Sequence, residues 1–128
     1  MKSNKQVKKF IGKLVLGEKS LNEMNYGVIT KTEHGITYSS ITDLLDKIYK
    51  SDNPDVHITI KYYNEDGNLH KIDKSGELLL KPDKFNVYGY FVNQYPLELE
   101  LFNLVDNEIT MFIEYDDKIM EEKTDNAN

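Results

Sequence analysis

The stretch "DVHITIKYY", residues Asp55 to Tyr63, decides the fold class because its apolar residues recur at every second position. The alternating apolar residues are Val56, Ile58, Ile60 and Tyr62. A period of two puts these side chains on one face of a strand and the polar ones on the other, as in a strand that covers a core. The sequence after Asp55 keeps this period, so we predict a sheet.

Short turns separate the further strands that the sequence predicts. Downstream, "NEDG" turns the chain, "NLHKID" returns it, "KSG" turns it again, and "ELLLK" and "FNVYGYFV" are two more strands before the turn "NQYP". Upstream, β-branched residues on both sides of a turn at residues 33–35 predict a hairpin. Closely spaced strands with short connections favour antiparallel pairing.

An amphipathic helix is predicted at the N-terminus, over residues 4–16. Ser3 and Gln6 fit a capping box, and Gly17 suits the residue that ends a helix. Four apolar residues follow the box at helical spacing: Val7, Phe10, Ile11 and Leu14. Lysines would lie on the opposite side of this helix. Gly12 would cost about 1 kcal/mol inside it, which indicates a close neighbour at that position.

A second helix is predicted over about residues 40–50. Ser39 or Ser40 supplies its N-cap, and Pro54 stops it because proline disfavours the helical conformation in the residue before it. Its apolar stripe is the most regular in the sequence and consists of Ile41, Leu44, Leu45, Ile48 and Tyr49. We therefore predict an α+β fold, in which two helices pack on a mainly antiparallel sheet of about six to eight short strands.

Two interpretations are open for residues 96–105, "PLELELFNLV". The alternation of leucine with glutamate favours a strand, with a β-bulge near Leu101 and Phe102 that restores a single apolar face. A helix beginning at Pro96 is the alternative, because leucine and glutamate are strong helix formers. The apolar stripe of that helix would be Leu97, Leu101 and Leu104. The following segment, "EITMFIEY", alternates again and predicts the last strand.

The length of the chain bounds its domain organisation. A chain of 128 residues is long enough to bury one hydrophobic core and too short for two. We assign residues 1–117 to a single α+β domain. Residues 118–128 are polar and lack aromatic side chains, so their composition predicts a disordered tail.

The composition excludes several classes of protein. Cysteine is absent, which excludes disulfides and cysteine-ligated zinc sites. Arginine is also absent, and lysine lacks the planar fork that reads guanine edges, so sequence-specific DNA recognition is not expected. No run approaches about 18 apolar residues and no signal-peptide pattern begins the chain, which predicts a cytoplasmic protein. The excess of Lys, Asn, Ile and Tyr is typical of a low-GC bacterium or its phages.

The sequence carries no pattern typical of catalysis. It lacks a glycine-rich phosphate loop, a nucleophile elbow and a His-Glu-x-x-His motif. The three histidines, His34, His57 and His70, are predicted to lie too far apart to share a metal ion. Neighbouring carboxylates such as those of "YDD" and "MEE" fall in a polar segment that would not desolvate them. We therefore predict a protein that is not an enzyme and that uses no cofactor or metal.

Charge is segregated along the chain. Residues 1–31 carry seven lysines against two glutamates, a net charge of +5. Residues 97–128 carry ten acids against two lysines, a net charge of −8. The sequence therefore has a basic beginning and an acidic end, and each is a candidate binding surface.

The acidic end predicts the first candidate function. An acidic stripe on strands within residues 98–117 would dock on a basic protein, with exposed tyrosines as anchors. The predicted contact residues are Glu98, Glu100, Glu108, Glu114, Asp116, Asp117, Tyr90 and Tyr95. In composition alone, the chain resembles small, acidic, cysteine-free proteins of phages and mobile elements, including inhibitors of host defence nucleases. That resemblance implies a binding protein of the bacterial cytoplasm with a basic partner, such as a nucleic-acid-binding enzyme.

The basic beginning predicts the alternative function, an accessory protein that binds nucleic acid. Its lysines would contact the phosphate backbone and are Lys5, Lys8, Lys9 and Lys13. A membrane partner is not expected, because the apolar stripe beside these lysines is small. The opposite charges of the two ends also predict a homodimer, stabilised by buried tyrosine or phenylalanine, because exposed ion pairs contribute only about 0 to 1 kcal/mol.

Overall fold

The computed structural model describes residues 5–20, 23–82 and 86–116, and within these ranges the chain forms seven strands and two helices. The elements in chain order are β1 (Lys5–Ser20), β2 (Glu23–Thr32), β3 (Gly35–Ser40), α1 (Ile41–Tyr49), β4 (Asp55–Tyr63), β5 (Leu69–Pro82), β6 (Tyr88–Val92), α2 (Leu97–Leu104) and β7 (Glu108–Asp116). The strands form one sheet in the order β3-β2-β1-β7-β4-β5-β6, with every neighbouring pair antiparallel. The α+β class and the antiparallel sheet are as the sequence predicts.

Two long strands give the sheet its curvature. The first part of β1, residues 5–13, pairs with β7, and the second part, residues 13–20, pairs with β2. In the same way β5 pairs with β4 through residues 69–77 and with β6 through residues 78–82. Because β1 and β5 each pass from one neighbour to the next, the seven strands curve into a half-barrel.

The hydrophobic core lies on one face of this sheet, which we call the inner face, and α1 and α2 pack against it. Alternate residues of the strands point into it, as the period of two requires. The strand residues of the core are Phe10, Leu14, Tyr26, Val28, Val56, Ile58, Ile60, Leu78, Tyr90, Val92, Ile109, Met111 and Ile113. The opposite side of the sheet, the outer face, carries the intervening residues.

The prediction of an N-terminal helix over residues 4–16 is wrong, because this segment is strand β1. Phe10 and Leu14 are buried on the inner face, whereas Val7 is 55% exposed and Ile11 is 46% exposed on the outer face. The spacing of Phe10 and Leu14 fits both a helix and a strand, so the local pattern cannot distinguish them. Pairing with β7 on one side and β2 on the other decides in favour of the strand.

Gly12 shows why β1 needs a glycine in its middle. Its φ is +146°, and a Cβ atom there would lie 2.3 Å from the carbonyl oxygen of Ile29. The close neighbour that the sequence indicated at this position therefore exists, but it is the backbone of strand β2. A side chain at position 12 would collide with atoms that cannot move without disturbing the sheet.

The predicted second helix is confirmed as α1. Ser40 is its N-cap, and the Ser40 hydroxyl accepts a hydrogen bond of 3.1 Å from the Asp43 amide. Ile41, Leu45 and Ile48 of the predicted stripe are buried, whereas Leu44 is half-buried and Tyr49 is 39% exposed. The hydroxyl of Thr42 accepts a hydrogen bond of 2.8 Å from the Tyr26 amide, which fixes the first turn of α1 against β2. Capping and burial thus agree with the local pattern.

Residues 97–104 form helix α2, so the favoured prediction of a bulged strand over residues 96–105 is wrong and the helical alternative is right. Its buried residues are the predicted stripe, Leu97, Leu101 and Leu104. Leu99 and Phe102 lie off this stripe and are 59% and 54% exposed. A helix places its apolar stripe on β6 and β1, whereas a strand would have needed a bulge to cover the same core.

Two further predictions meet different outcomes in the second half of the chain. The predicted turn at "KSG" is wrong, because β5 continues through Gly76 as a single strand. The predicted last strand is confirmed as β7, with Ile109, Met111 and Ile113 buried. Although it is the last described element, β7 occupies the centre of the sheet between β1 and β4.

Candidate binding cleft

The structure divides the predicted acidic surface between two parts of the molecule. Glu98 and Glu100 belong to α2, which packs near β6, whereas Glu108, Glu114 and Asp116 lie on the outer face of the central strand β7. Lysines of β1 interrupt the acids of β7, because the sheet register places Lys13 opposite Glu108 and Lys5 opposite Asp116. Asp117 lies outside the described residues. The predicted residues therefore do not form one continuous acidic stripe.

Two of the predicted residues, Tyr90 and Glu98, come together in a cleft of about 200 Å³ between β6 and α2. Its walls are mostly aromatic or aliphatic, and Glu98 is the charged residue of its lining. The residues that line it are Tyr26, Val87, Tyr88, Gly89, Tyr90, Phe91, Pro96, Glu98, Leu99 and Phe102. An apolar cleft around a single charged group is the usual form of a binding site.

The free edge of β6 explains where the Glu98 carboxylate lies. The Asn93 amide donates to the Glu77 carbonyl at 2.9 Å, which makes alternate amides of β6 point toward β5. The Tyr90 amide points the other way, and it donates a hydrogen bond to the Glu98 carboxylate. Gly89 makes room for this contact, because a Cβ atom there would lie 3.1 Å from Glu98 Oε2. The acid thus covers part of an open sheet edge.

Burial makes Glu98 an unusual acid. The pKa of Glu98 is raised from 4.5 to about 7; desolvation is the largest cause, and the nearby Asp46 carboxylate acts in the same direction. The hydrogen bond from the Tyr90 amide acts in the opposite direction, because it stabilises the ionised form. Glu98 therefore changes its charge close to neutral pH. As a carboxylate it can bind a cation, and as an acid it can donate a hydrogen bond.

Tyrosine hydroxyls surround the acidic groups beneath the cleft. The Tyr90 hydroxyl donates a hydrogen bond to the Asp46 carboxylate, and the ring of Tyr49 meets the ring of Tyr90 edge-on with 5.7 Å between centroids. Burial raises the pKa of Tyr90 strongly, and the bond to Asp46 adds to this shift. Burial and the charge of Glu98 raise the pKa of Tyr26 to about 12. Tyr26 and Tyr90 therefore stay protonated at neutral pH, and the Tyr90 hydroxyl acts as a hydrogen-bond donor to Asp46.

Exposed apolar side chains form the rim of the cleft. Val87, Tyr88, Leu99 and Phe102 are between 44% and 59% exposed, although all four are large and apolar. Leu99 and Phe102 were not predicted as rim residues because a strand was favoured for residues 96–105. The helical spacing of Leu97, Leu101 and Leu104 was the available signal, because it leaves the other apolar residues of α2 outside the buried stripe.

Tyr95, the other predicted tyrosine, does not line the cleft. It is half-buried, and the Lys74 ammonium lies 4.9 Å from the centroid of its ring. Burial raises the pKa of Tyr95 to about 12, with smaller contributions from Glu100 and Tyr62. Its contacts therefore give it a structural role in packing beside β5.

The predicted lysines are also divided between the two faces of β1. Lys5, Lys9 and Lys13 are exposed on the outer face, whereas Lys8 has the opposite orientation and pairs in register with Ile113. A helix would have placed all four on one side. The strand instead aligns three of them, at intervals of four residues.

The three histidines lie apart and belong to different local contacts. His57 forms a hydrogen bond with Asp73, which lowers the pKa of that carboxyl group. The ring of His70 stacks on Tyr62 with 5.4 Å between centroids, and His34 lies in the turn between β2 and β3. Among the described residues, no group of three or more acids and histidines is placed to hold a metal ion.

Comparison of the chain with protein-family models, with curated proteins and with solved structures finds no match. Neither helix in the described ranges is long and apolar enough to cross a membrane. The interpretation of the cleft therefore depends on its own geometry and chemistry.

Proposed function

We propose that the chain is a non-enzymatic binding protein that holds a basic segment of a partner protein in the cleft between β6 and α2. The observation that carries this proposal is the rim of exposed apolar residues around the half-buried carboxylate of Glu98. Exposed apolar groups that cluster around a cleft favour a protein contact, because the same groups cost free energy in water.

The chemistry of the cleft favours a lysine or arginine side chain as the group that enters it. Such a side chain has an apolar stem and a charged end, so its stem would pack on Tyr88 and Phe102 while its cation meets Glu98. The cation would also offset the unfavourable burial of the carboxylate. The acidic groups of the last third of the chain would speed the approach of a basic partner.

A basic enzyme that binds nucleic acid, such as a host defence nuclease, is the partner class that fits these charges. The proposal differs from an acidic stripe in one respect. The outer-face acids Glu108 and Glu114 contribute to steering, whereas direct contact is made by Glu98 and the aromatic rim. Asp116 is only 8% exposed and accepts a hydrogen bond of 3.0 Å from the Asn53 side chain, so it is not part of the contact surface. Binding energy in protein interfaces is usually concentrated in a few aromatic or charged residues of this kind.

A defined peptide tests the proposal. We compare the binding of two peptides of about eight residues. The first has one arginine flanked by apolar residues, and the second has citrulline in its place, which keeps the shape of arginine and removes its charge. Two-dimensional NMR of the labelled protein should show amide shifts confined to β6 and α2. We expect the citrulline peptide and the Glu98→Gln variant each to bind about tenfold more weakly. Glu100→Gln is the matched control, because Glu100 is on the same helix and does not line the cleft.

The pH dependence of peptide binding is a second test of the proposal. Binding of the arginine peptide should be tighter at about pH 8 than at about pH 5, because Glu98 must ionise to pair with a cation and its pKa is about 7. Equal binding of the two peptides, or shifts that fall on the outer face of β1 and β4, would show that the cleft does not select a basic group.

Crosslinking would then identify the partner. A photoreactive phenylalanine analogue at position 102 lies on the rim, and the same analogue at position 36 lies on the edge strand β3, where Ile36 is 67% exposed. Both variants are expressed in the native host and irradiated. We expect a protein that is captured from position 102, is absent from the position 36 sample and is lost when Glu98→Gln is added.

A further inference from the structure

The outer face of the sheet carries most of its lysines toward one end and most of its acids toward the other. Cross-strand register aligns this face in rows, so that Lys9, Phe112 and Thr59 form one row, and Ile11, Thr110 and Lys61 form the next. Most exposed lysines lie in the Phe112 row or on the side of it toward Lys13, and we call this region the basic end. Its lysines are Lys9, Lys13, Lys31, Lys61 and Lys71. The acids Asp55, Glu77, Glu114 and Asp116 lie at the other end.

An aromatic side chain lies among these lysines. Phe112 belongs to the central strand β7 and is half-buried on the outer face. The ammonium of Lys9, on β1, lies 5.6 Å from the centroid of its ring, and that of Lys61, on β4, lies 5.9 Å from it. Two cations therefore flank one aromatic ring from both neighbouring strands. Tyr63, further along β4 within the basic end, is 65% exposed.

We propose that the basic end of the outer face binds a short segment of single-stranded nucleic acid. An aromatic ring between lysines on an open sheet can stack an unpaired base, while the lysines contact the phosphates on either side. Phe112 would hold one base and Tyr63 a second. This site is distinct from the cleft, because the cleft lies between β6 and α2 and shares no residue with it.

The charge pattern also limits where a nucleic acid would bind. The acidic end repels phosphates, so the nucleic acid would stay on the basic end. Phe112 lies opposite Thr59, so Tyr63 is one strand across and four residues further along, about 14 Å away, which leaves room for only a few nucleotides between the two rings. Because the chain has no arginine, its lysines act as point charges, so we expect binding without base specificity.

The surface departs from the nucleic-acid site predicted from sequence in two ways. Lys8 points to the other face and Lys5 lies opposite Asp116 at the acidic end, so neither belongs to the basic end. Lys61 and Lys71 come from strands that follow much later in the chain, and only the sheet register brings them beside Lys9. Two lysines already have acidic neighbours, since Lys13 is opposite Glu108 and the Lys71 ammonium lies 3.8 Å from Asp73.

Fluorescence anisotropy with labelled oligo(dT) and oligo(U) of about twelve nucleotides tests this proposal on the full chain. We expect binding in about 20 mM salt that weakens steeply at about 200 mM salt. The double variant Lys9→Gln, Lys61→Gln should bind at least about tenfold more weakly, with a salt slope lower by about 1.4. Lys8→Gln is the matched control, because Lys8 is an exposed lysine of the same strand on the other face.

Stacking is tested separately from charge. Phe112→Ala and Phe112→Leu should each weaken binding by about fivefold or more, and the leucine variant keeps a similar apolar volume if the alanine variant is unstable. No binding in low salt, a loss with Lys8→Gln equal to that of the double variant, or a preference for duplex would overturn the proposal. So would sedimentation that shows a homodimer which Phe112→Leu dissociates, because the outer face would then be a contact between two copies of the chain.

Discussion

Replacing Glu98 with glutamine should stabilise the protein at neutral and higher pH. Glutamine has nearly the shape of the acid and can still accept the hydrogen bond from the Tyr90 amide. It never ionises, so it removes the unfavourable burial of a negative charge beside Asp46. The variant therefore removes the unfavourable buried charge and keeps the shape and the hydrogen bond of the side chain.

The size and pH range of the effect follow from the pKa of Glu98. A rise from 4.5 to about 7 corresponds to an upper bound of about 3 kcal/mol, and solvent screening at this half-buried site reduces it to about 1 to 2 kcal/mol. The folded state binds the proton more tightly than the unfolded state does. The contribution of protonated Glu98 to the free energy of unfolding is therefore fully present below pH 4.5, and it is lost as the pH rises through about 7.

Urea unfolding of wild type, Glu98→Gln and Glu100→Gln between about pH 5 and about pH 8 measures this difference. The free energy of unfolding of Glu98→Gln should match that of wild type near pH 5 and exceed it by about 1 to 2 kcal/mol near pH 8. Glu100→Gln is the control for removing a carboxylate of the same helix that does not line the cleft. A constant difference at every pH, or a loss of stability in Glu98→Gln at pH 8, would refute the idea that burial destabilises the charged form.

Two further changes test the packing around the cleft and the sheet. Tyr90→Phe removes the hydroxyl that donates a hydrogen bond to Asp46. Urea unfolding at neutral pH should show a free energy of unfolding that is lower by about 1 to 2 kcal/mol. An unchanged free energy would show that this hydrogen bond is not formed. Gly12→Ala places a Cβ atom 2.3 Å from the Ile29 carbonyl oxygen, so it should lower the free energy of unfolding by about 3 kcal/mol or prevent folding. Gly35→Ala is the control for the effect of positive φ alone, because no atom lies within 4 Å of a Cβ atom at that position.

Local pattern predicted the elements in which sequence and long-range packing agree. In α1 the cap, the apolar stripe and the stop signal all point to a helix, and the structure buries the same face. In β4 and β7 strict alternation leaves one face apolar, and both strands lie near the centre of the sheet. Consistency between local preference and tertiary contacts makes such segments predictable.

Two segments were ambiguous because their apolar residues fit more than one period. In β1, Phe10 and Leu14 are four residues apart, which satisfies both a helix and a strand. In α2, leucine alternates with glutamate through Leu101, so the first residues imitate a strand although Leu99 is exposed. The decision came from packing partners outside each segment: two strands for β1, and the inner face at β6 and β1 for α2.

The candidate cleft was predictable in its chemistry and unpredictable in its shape. Glu98 stood out as an acid in a segment of strong negative charge. Tyr90 was predicted as an exposed anchor, and this is wrong because Tyr90 is 5% exposed. Their meeting depends on the edge position of β6, whose outward Tyr90 amide needs an acceptor. No pattern within residues 86–104 encodes which strand lies at the edge of the sheet, because pairing with residues elsewhere determines it.

The acceptor at this edge supports the proposal that the cleft binds a cation of a partner. A neutral side chain could accept the same bond from the Tyr90 amide without losing hydration of a charge. Glu98 instead keeps a group that is unfavourable in the free protein at neutral pH, near a second carboxylate at Asp46. A partner's cation would relieve this unfavourable burial on binding, so part of the binding free energy would come from the strain that the free protein already carries.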